Sequence, residues 1–308
     1  MLSLLIPTYN FDCLPFIKEL AAQCEAYVSE DSDFAYEIIV FDDASSDSAL
    51  ANRIESACSQ IAGVRWLKAE HNVGRAKARN RLLAAARGEW VLMMDDDARL
   101  ACDRFIARYW MLRYRAEVLC GDLVNPAAVV SGHELRYRYE RSAAPMRTAD
   151  RRNQHPYERF TTFNVFARKA SIAAIGFDEG ISEYGYEDVL LGIELQARGV
   201  SVLHIDNPLL HTGIDSNASF LSKTRAAMRT LSALPLSVRR RVGASRLSLV
   251  LQRYKLKSFV ALVLKPLLPL FERQLLSRWP NLQLLKLYKL GYYLNLPETN
   301  RAKESFEQ

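Results

Sequence analysis

Three short runs in the first hundred residues, Leu2 to Pro7, Glu37 to Phe41 and Glu89 to Met94, are apolar at consecutive positions over most of their length, and a further strand is expected near 64–69. A strand with one wet face alternates apolar and polar residues, whereas a strand covered on both faces does not. The segments between these runs read as helices. Leu14, Ile17, Leu20, Ala21 and Cys24 fall at helical spacing, with Asp12 ahead and Pro15 in the first turn, both N-terminal signals. Asp42 to Asp47 leads into a helix through Ile54 and Ile61, and Gly74 to Arg87 is Ala- and Arg-rich, with Gly88 expected at its C-cap. Strand, helix, strand at this cadence predicts βαβ units. The expected fold is α/β, with a mostly parallel sheet and helices on both faces.

Further on, a helix is expected near 103–115, a strand near 117–121, a strand at 160–167, a helix over 186–198 ending at Gly199, and a strand at 201–205. Between about 125 and 160 the chain is polar, aromatic and Arg-rich, with no clean period. Beyond 217 it reads as helical to near 294, punctuated by Pro235, Pro266, Pro269 and Pro280. These patterns divide the 308 residues into an α/β domain over 1–216 and a basic, apolar helical region over 217–308. The five cysteines are odd in number and never spaced as CxxC, which argues against a disulfide framework and for a reduced, cytoplasmic setting. Met1 to Asn10 lacks a basic leader and reads as a first strand, not a signal peptide.

In an open parallel sheet, ligands bind beyond the C-terminal ends of the strands. The first strand ends in Thr8-Tyr9-Asn10, the second in Asp42-Asp43 and the fourth in Asp95-Asp96-Asp97. Any one cluster could be a turn or a helix cap, but three together point to a site. Adjacent carboxylates repel one another, and a hard cation relieves that repulsion. Mn²⁺ or Mg²⁺ accepts one or two carboxylates and completes its shell with water and substrate phosphates. Gly74-Arg75-Ala76-Lys77-Ala78-Arg79 opens a helix and offers amides and cations to a diphosphate. Glu187-Asp188 opens the 186–198 helix and reads either as a first-turn cap or as a general base. His211 follows a strand and reads as a metal ligand, a phosphate contact or a structural histidine.

Two other enzyme classes lack their marks. A sugar-nucleotide nucleotidyltransferase wants a Gly-rich basic loop after the first strand, and a dinucleotide-dependent dehydrogenase wants GxGxxG there; Pro7-Thr8-Tyr9-Asn10 is neither. A non-catalytic basic module binding membrane or nucleic acid is a third alternative.

Ile6-Pro7-Thr8-Tyr9-Asn10, Ile39 to Ser45, Asn72-Val73-Gly74 to Asn80, Asp95-Asp96-Asp97 and Glu187-Asp188 together resemble family 2 glycosyltransferases over roughly the first 215 residues. The resemblance implies a GT-A fold, a nucleotide-diphosphate sugar donor (often UDP-linked), Mn²⁺ or Mg²⁺, and inversion at the anomeric carbon. It implies a donor site within 1–100, where Pro7, Thr8 and Tyr9 flank the base and ribose and Asp43 contacts the base. Gly74 and Arg75 or Arg79 would approach the base or diphosphate. Asp96 would meet ribose or metal, Asp97 would hold the metal, and Asp95 would support them. Asp188 would be the catalytic base, with Glu187 beside it. Ala44 departs from the pattern, standing where glycine is usual.

Residues 125–190 are the expected acceptor or lid region. Tyr137, Tyr139, Tyr157, Phe160 and Phe163 lie there among arginines, suited to stack on a sugar or merely to pack. The acceptor is expected to be a glycan or lipid-linked. In the tail, Phe259 to Phe271 is strongly apolar but too short to span a bilayer, and Lys265 and two prolines interrupt it. Two readings stand for 236–295: a helix lying in a membrane surface, peripheral on the inner face of the cytoplasmic membrane, or helices packed on the catalytic domain or a second subunit.

Overall fold

The computed structural model describes residues 1–181 and 183–297. Ten strands form in chain order: β1 (Leu2–Thr8), β2 (Tyr36–Asp42), β3 (Val64–Lys68), β4 (Trp90–Met94), β5 (Ala98–Leu100), β6 (Val118–Cys120), β7 (Leu123–Val124), β8 (Asn164–Arg168), β9 (Val202–His204) and β10 (Leu209–His211). Seven of them make one sheet in the order β3-β2-β1-β4-β8-β6-β9. Neighbours are parallel except around β8, which runs antiparallel to β4 and β6. A small sheet, β5-β10-β7, stands beside the end of β4.

The helices of this part are α1 (Leu14–Glu30), α2 (Ser48–Cys58), α3 (Arg75–Ala85) and α4 (Phe105–Leu112). Further helices are α5 (Glu134–Ala143), α6 (Ala149–Asn153), α7 (Lys169–Ala173) and α8 (Glu187–Ala197). Successive strand residues face opposite ways. Leu4, Ile6, Ile38, Val40 and Leu92 enter one core with α1 and α4, while Leu5, Ile39, Phe41, Val91 and Met93 enter another with α3 and α8. Both faces are covered, which is why these strands do not alternate.

The chain divides into two compact units, one of residues 1–126, 144–180 and 187–213, the other of 127–143, 181–186 and 214 onward. In the second unit α5 is joined by α9 (Asn217–Ala233), α10 (Leu236–Arg239), α11 (Gly243–Arg253), α12 (Lys257–Leu264), α13 (Leu268–Leu275) and α14 (Leu282–Leu294). The prolines sit where they disturb least: Pro235 caps α10 and Pro269 lies in the first turn of α13. Among the described residues, no helix is long and apolar enough to cross a membrane.

Some local expectations change. Helix α3 stops at Ala85, with Ala86 extended at its cap, so Gly88 is not a C-cap. Its role is close approach: a Cβ there would lie 2.8 Å from backbone atoms of Met1, Ser3 and Trp90. The strand expected at 160–167 begins at Asn164. The stretch read as patternless contains α5, a 3₁₀ turn and α6. Of its aromatics, Tyr137, Phe160 and Phe163 are buried, so they pack; Tyr139 remains 40% exposed.

Candidate active site

The ends of β1, β2 and β4 lie side by side because those strands are parallel neighbours; Pro7 pairs with Phe41 and Thr8 with Asp42. Thr8 is buried, and its hydroxyl donates to Asp96 Oδ2 at 2.7 Å. Tyr9, the next residue, is 48% exposed.

Asp43 is buried, and its carboxylate accepts the amides of Val73 (2.8 Å) and Gly74 (2.9 Å). It therefore fixes the loop entering α3. Ala44 occupies the left-handed region at φ 59°, the conformation for which glycine is usual there. Gly74 precedes the first turn of α3 at φ 85° and provides no side-chain cap.

The three aspartates find three different partners. Asp95 accepts from Arg79 Nη2 at 2.7 Å, Asp96 accepts from Thr8, and Asp97 Oδ2 lies 3.2 Å from His211 Nε2. Their acidities diverge accordingly. Burial would raise Asp95, but Arg79 and Arg75 outweigh it and hold the carboxyl below its usual range. Burial and then the neighbouring Asp97 push Asp96 up to about 7.

Arg75 or Arg79 is expected near the base or diphosphate, and the structure separates the two by placing Arg79 inside. Arg79 is 3% exposed, with Nη2 on Asp95 and Nη1 3.2 Å from Glu187 Oε1. This buried cation joins the end of β4 to the start of α8. Glu187 is itself buried and turned toward Arg79, while half-buried Asp188 caps locally through the Val189 amide at 2.8 Å. Burial and then the Glu187 charge raise the Asp188 carboxyl to about 6. A carboxylate so tuned is suited to take a proton near neutral pH.

Asp97 passes a direct test for a cation. Its Oδ1 is buried and has no hydrogen-bond partner, an arrangement that costs free energy unless something else fills the shell. Among the described residues no group of three or more His, Cys, Asp and Glu gathers for a metal. A carboxylate beside an imidazole, leaving positions for water and phosphate, suits Mn²⁺ or Mg²⁺ more than a closed structural site. Two residues that the motifs did not flag complete this corner. The Thr212 hydroxyl donates to the Asp97 carbonyl at 2.9 Å, and a Cβ on Gly213 would come within 2.4 Å of Asp97 Cβ. The Thr-Gly pair after His211 was the available signal.

Comparison with known proteins agrees with this architecture. Dolichyl-phosphate beta-glucosyltransferase ALG5C of Trichomonas vaginalis is 26% identical over 195 residues, 63% of this chain and 50% of that protein. The chain thus matches half the length of that relative. The uncharacterized glycosyltransferase YfnE of Bacillus subtilis is 24% identical over 273 residues, covering 73% of this chain and 68% of that protein. Among solved structures, residues 1–349 of S. aureus TarS superpose with a TM-score of 0.51 at 17% identity, covering 100% of this chain and 92% of that one. The mannosyltransferase PcManGT of Pyrobaculum calidifontis, in complex with GDP-Man and Mn²⁺, gives 0.51 at 14% identity over 95% and 84%. At these identities the structures speak for the fold, which is GT-A. The model of Glycosyl transferase family 2 matches residues 3–174, more than half of the sequence, and the chain belongs to that family of transferases.

Proposed function

We propose that this transferase moves a sugar from a nucleotide-diphosphate donor, UDP-linked, to a hydroxyl of a glycan or lipid-linked acceptor, with inversion at the anomeric carbon. The observation that carries the reading is the Arg79 bridge, which ties the carboxylates at the end of β4 to those at the start of α8. Donor and base functions then share one site.

Tyr9 offers its exposed ring to the base, with Pro7 and Thr8 beside it, and Asp43 shapes the base pocket by holding residues 73–74. Asp96, bound by Thr8, faces the ribose. Arg75 and the uncapped first turn of α3 receive the diphosphate, while buried Arg79 acts by positioning. Asp97 and His211 would hold Mn²⁺ or Mg²⁺, with Asp95 and Asp96 alongside. When bound, the ion stabilises negative charge on the departing diphosphate. Asp188 accepts the proton of the acceptor hydroxyl as that oxygen bonds to the anomeric carbon. The carbon–oxygen bond to the diphosphate breaks on the opposite face, which inverts the centre. Glu187, held by Arg79, keeps Asp188 in place.

Several names support parts of this reading. TarS has been solved in complexes with UDP and with UDP-GlcNAc, and PcManGT with Mn²⁺. Relatives from Trichomonas vaginalis and Dictyostelium discoideum are named for dolichyl phosphate, a lipid phosphate. Calorimetric titration of UDP, GDP and dTDP, with and without Mn²⁺, tests the donor half. UDP should bind most tightly, the ion should strengthen binding, and Asp97→Ala should erase that gain. Absence of any metal-dependent nucleotide binding would sink the proposal, and an unchanged dissociation constant in Asp97→Ala would move the ion elsewhere.

A further inference from the structure

The second unit carries a helical run that is apolar on two sides. Helix α12, a 3₁₀ turn over Lys265–Leu267 and helix α13 follow one another without a break. On the inner side Leu264, Phe271 and Leu275 are buried with Leu285, Tyr288 and Leu294 of α14, and Leu268 packs against them. On the outer side Phe259 is 64% exposed, Leu262 71%, Val263 46%, Leu267 37% and Leu270 62%. These positions recur at spacings of three and four, so they form one stripe along the helix. A helical run that is apolar on two sides has one more apolar face than its own core covers, and here the core occupies the inner side alone.

Charge complementarity names the occupant. Between Leu236 and Pro297 the chain has twelve lysines and arginines against a single acidic residue, Glu272. The whole chain carries +6, so the remaining residues sum to −5 and the net positive excess lies in this segment. Arg253, Lys255, Lys257, Lys265 and Arg273 flank or interrupt the stripe, and all but Lys257, which is half-buried, are exposed. Exposed Trp279 stands just beyond it, with Arg278 over its ring at 6.0 Å. Tryptophan and long cations beside an apolar strip suit the boundary between lipid headgroups and acyl chains. Because no described helix can cross a bilayer, the stripe would lie along the surface.

We infer that the outer face of α12 and α13 docks this protein on the surface of an anionic lipid bilayer, the stripe inserting and the surrounding cations meeting headgroup phosphates. This site is separate from the donor site, so vesicle binding and nucleotide binding can fail independently.

Flotation of the purified full chain with vesicles of phosphatidylcholine, alone or mixed with phosphatidylglycerol, tests the inference. The protein should float with the mixed vesicles, and added salt should weaken but not abolish the association. The triple variant Phe259→Ser, Leu262→Ser, Leu270→Ser should partition roughly 100-fold less, each lost side chain accounting for about fivefold. Neutralising Lys255, Lys257 or Lys265 to glutamine should cost roughly fivefold each, on anionic vesicles alone. Since the three apolar positions face water, thermal unfolding and UDP titration of the serine variant should match wild type. If that variant misfolds, Leu262→Ser alone still reads the roughly fivefold loss. Failure of wild type to float, or full retention of binding by the serine variants, overturns the inference. So does a wild-type dimer that ignores vesicles and becomes monomeric in the serine variant, which would assign the stripe to a second copy.

Discussion

Arg79→Met removes one charge and keeps an unbranched stem as far as the position of Nε, so it tests the bridge more than the packing of the stem. In wild type, Arg79 is 3% exposed and satisfies Asp95 at 2.7 Å and Glu187 at 3.2 Å. Removing the cation leaves two carboxylates without their partner, one of them buried. Taking away one side of a buried pair typically costs about 3–5 kcal/mol, because the remaining charge is stranded. Asp95 keeps 22% of its side chain in water, so a loss of about 3–4 kcal/mol is expected. For a unit of this size that corresponds to a Tm lower by roughly 6–16 °C.

The pH dependence separates this cause from general damage. With Arg79 present, Asp95 is held below its usual range, so its contribution exists above the unfolded carboxylate pKa and is lost as pH falls through the lowered value. In Arg79→Met the unpaired carboxylates should shift upward, so the variant loses stability as pH rises through their new values. The gap between the two proteins should therefore be larger at pH 8 than at pH 5. Thermal melts at those pH values, followed by circular dichroism, read this directly. Adding Glu187→Gln to Arg79→Met should recover about 2 kcal/mol, since a stranded charge becomes a neutral amide. A Tm gap equal at both pH values, or no recovery in the double variant, would refute the bridge.

Asp188→Asn should keep UDP binding but lose about 10²–10⁴-fold in transfer, the usual contribution of a general base. In wild type the rate should rise through a limb near pH 6, where Asp188 ionises, and the Asn variant should lack that limb. The same raised pKa means that charging Asp188 opposes folding above about pH 6, so at pH 8 Asp188→Asn should melt no lower than wild type; a large loss of Tm would contradict the cause assigned. Ala44→Gly should stabilise by about 0.5–1 kcal/mol, because a φ of 59° strains alanine by more than glycine's extra unfolded freedom costs. A lower denaturation midpoint would show that the turn is not strained.

The features legible in the sequence share a physical cause: they are local or periodic. Strands β1, β2 and β4 lie buried on both faces, so each is a continuous apolar run, and the first polar residue after each run marks the ligand edge. What was hidden depends on partners far along the chain. Strands β5, β7 and β10 have two or three residues each, too few to display a period. The arginines of 125–160 looked like acceptor contacts, yet Arg152 is 4% exposed and donates to the carbonyls of Cys120, Gly121 and Ile205. Arg79 likewise stood in a helix that resembled a phosphate cradle, while its second partner lies 108 positions away.

The aspartate triplet shows why such roles resist reading from a motif. As a string, Asp95, Asp96 and Asp97 are equivalent. In the fold, a residue from α3, one from β1 and one from β10 each claim a different member. Asp95 is thereby neutralised by Arg79, and Asp96 is held by a hydroxyl. Asp97 alone keeps a buried, unpartnered oxygen beside an imidazole, which makes it the member with a coordination position to offer. The distinction follows from the strand end meeting three different neighbours, and none of those contacts has a spacing that the sequence could advertise.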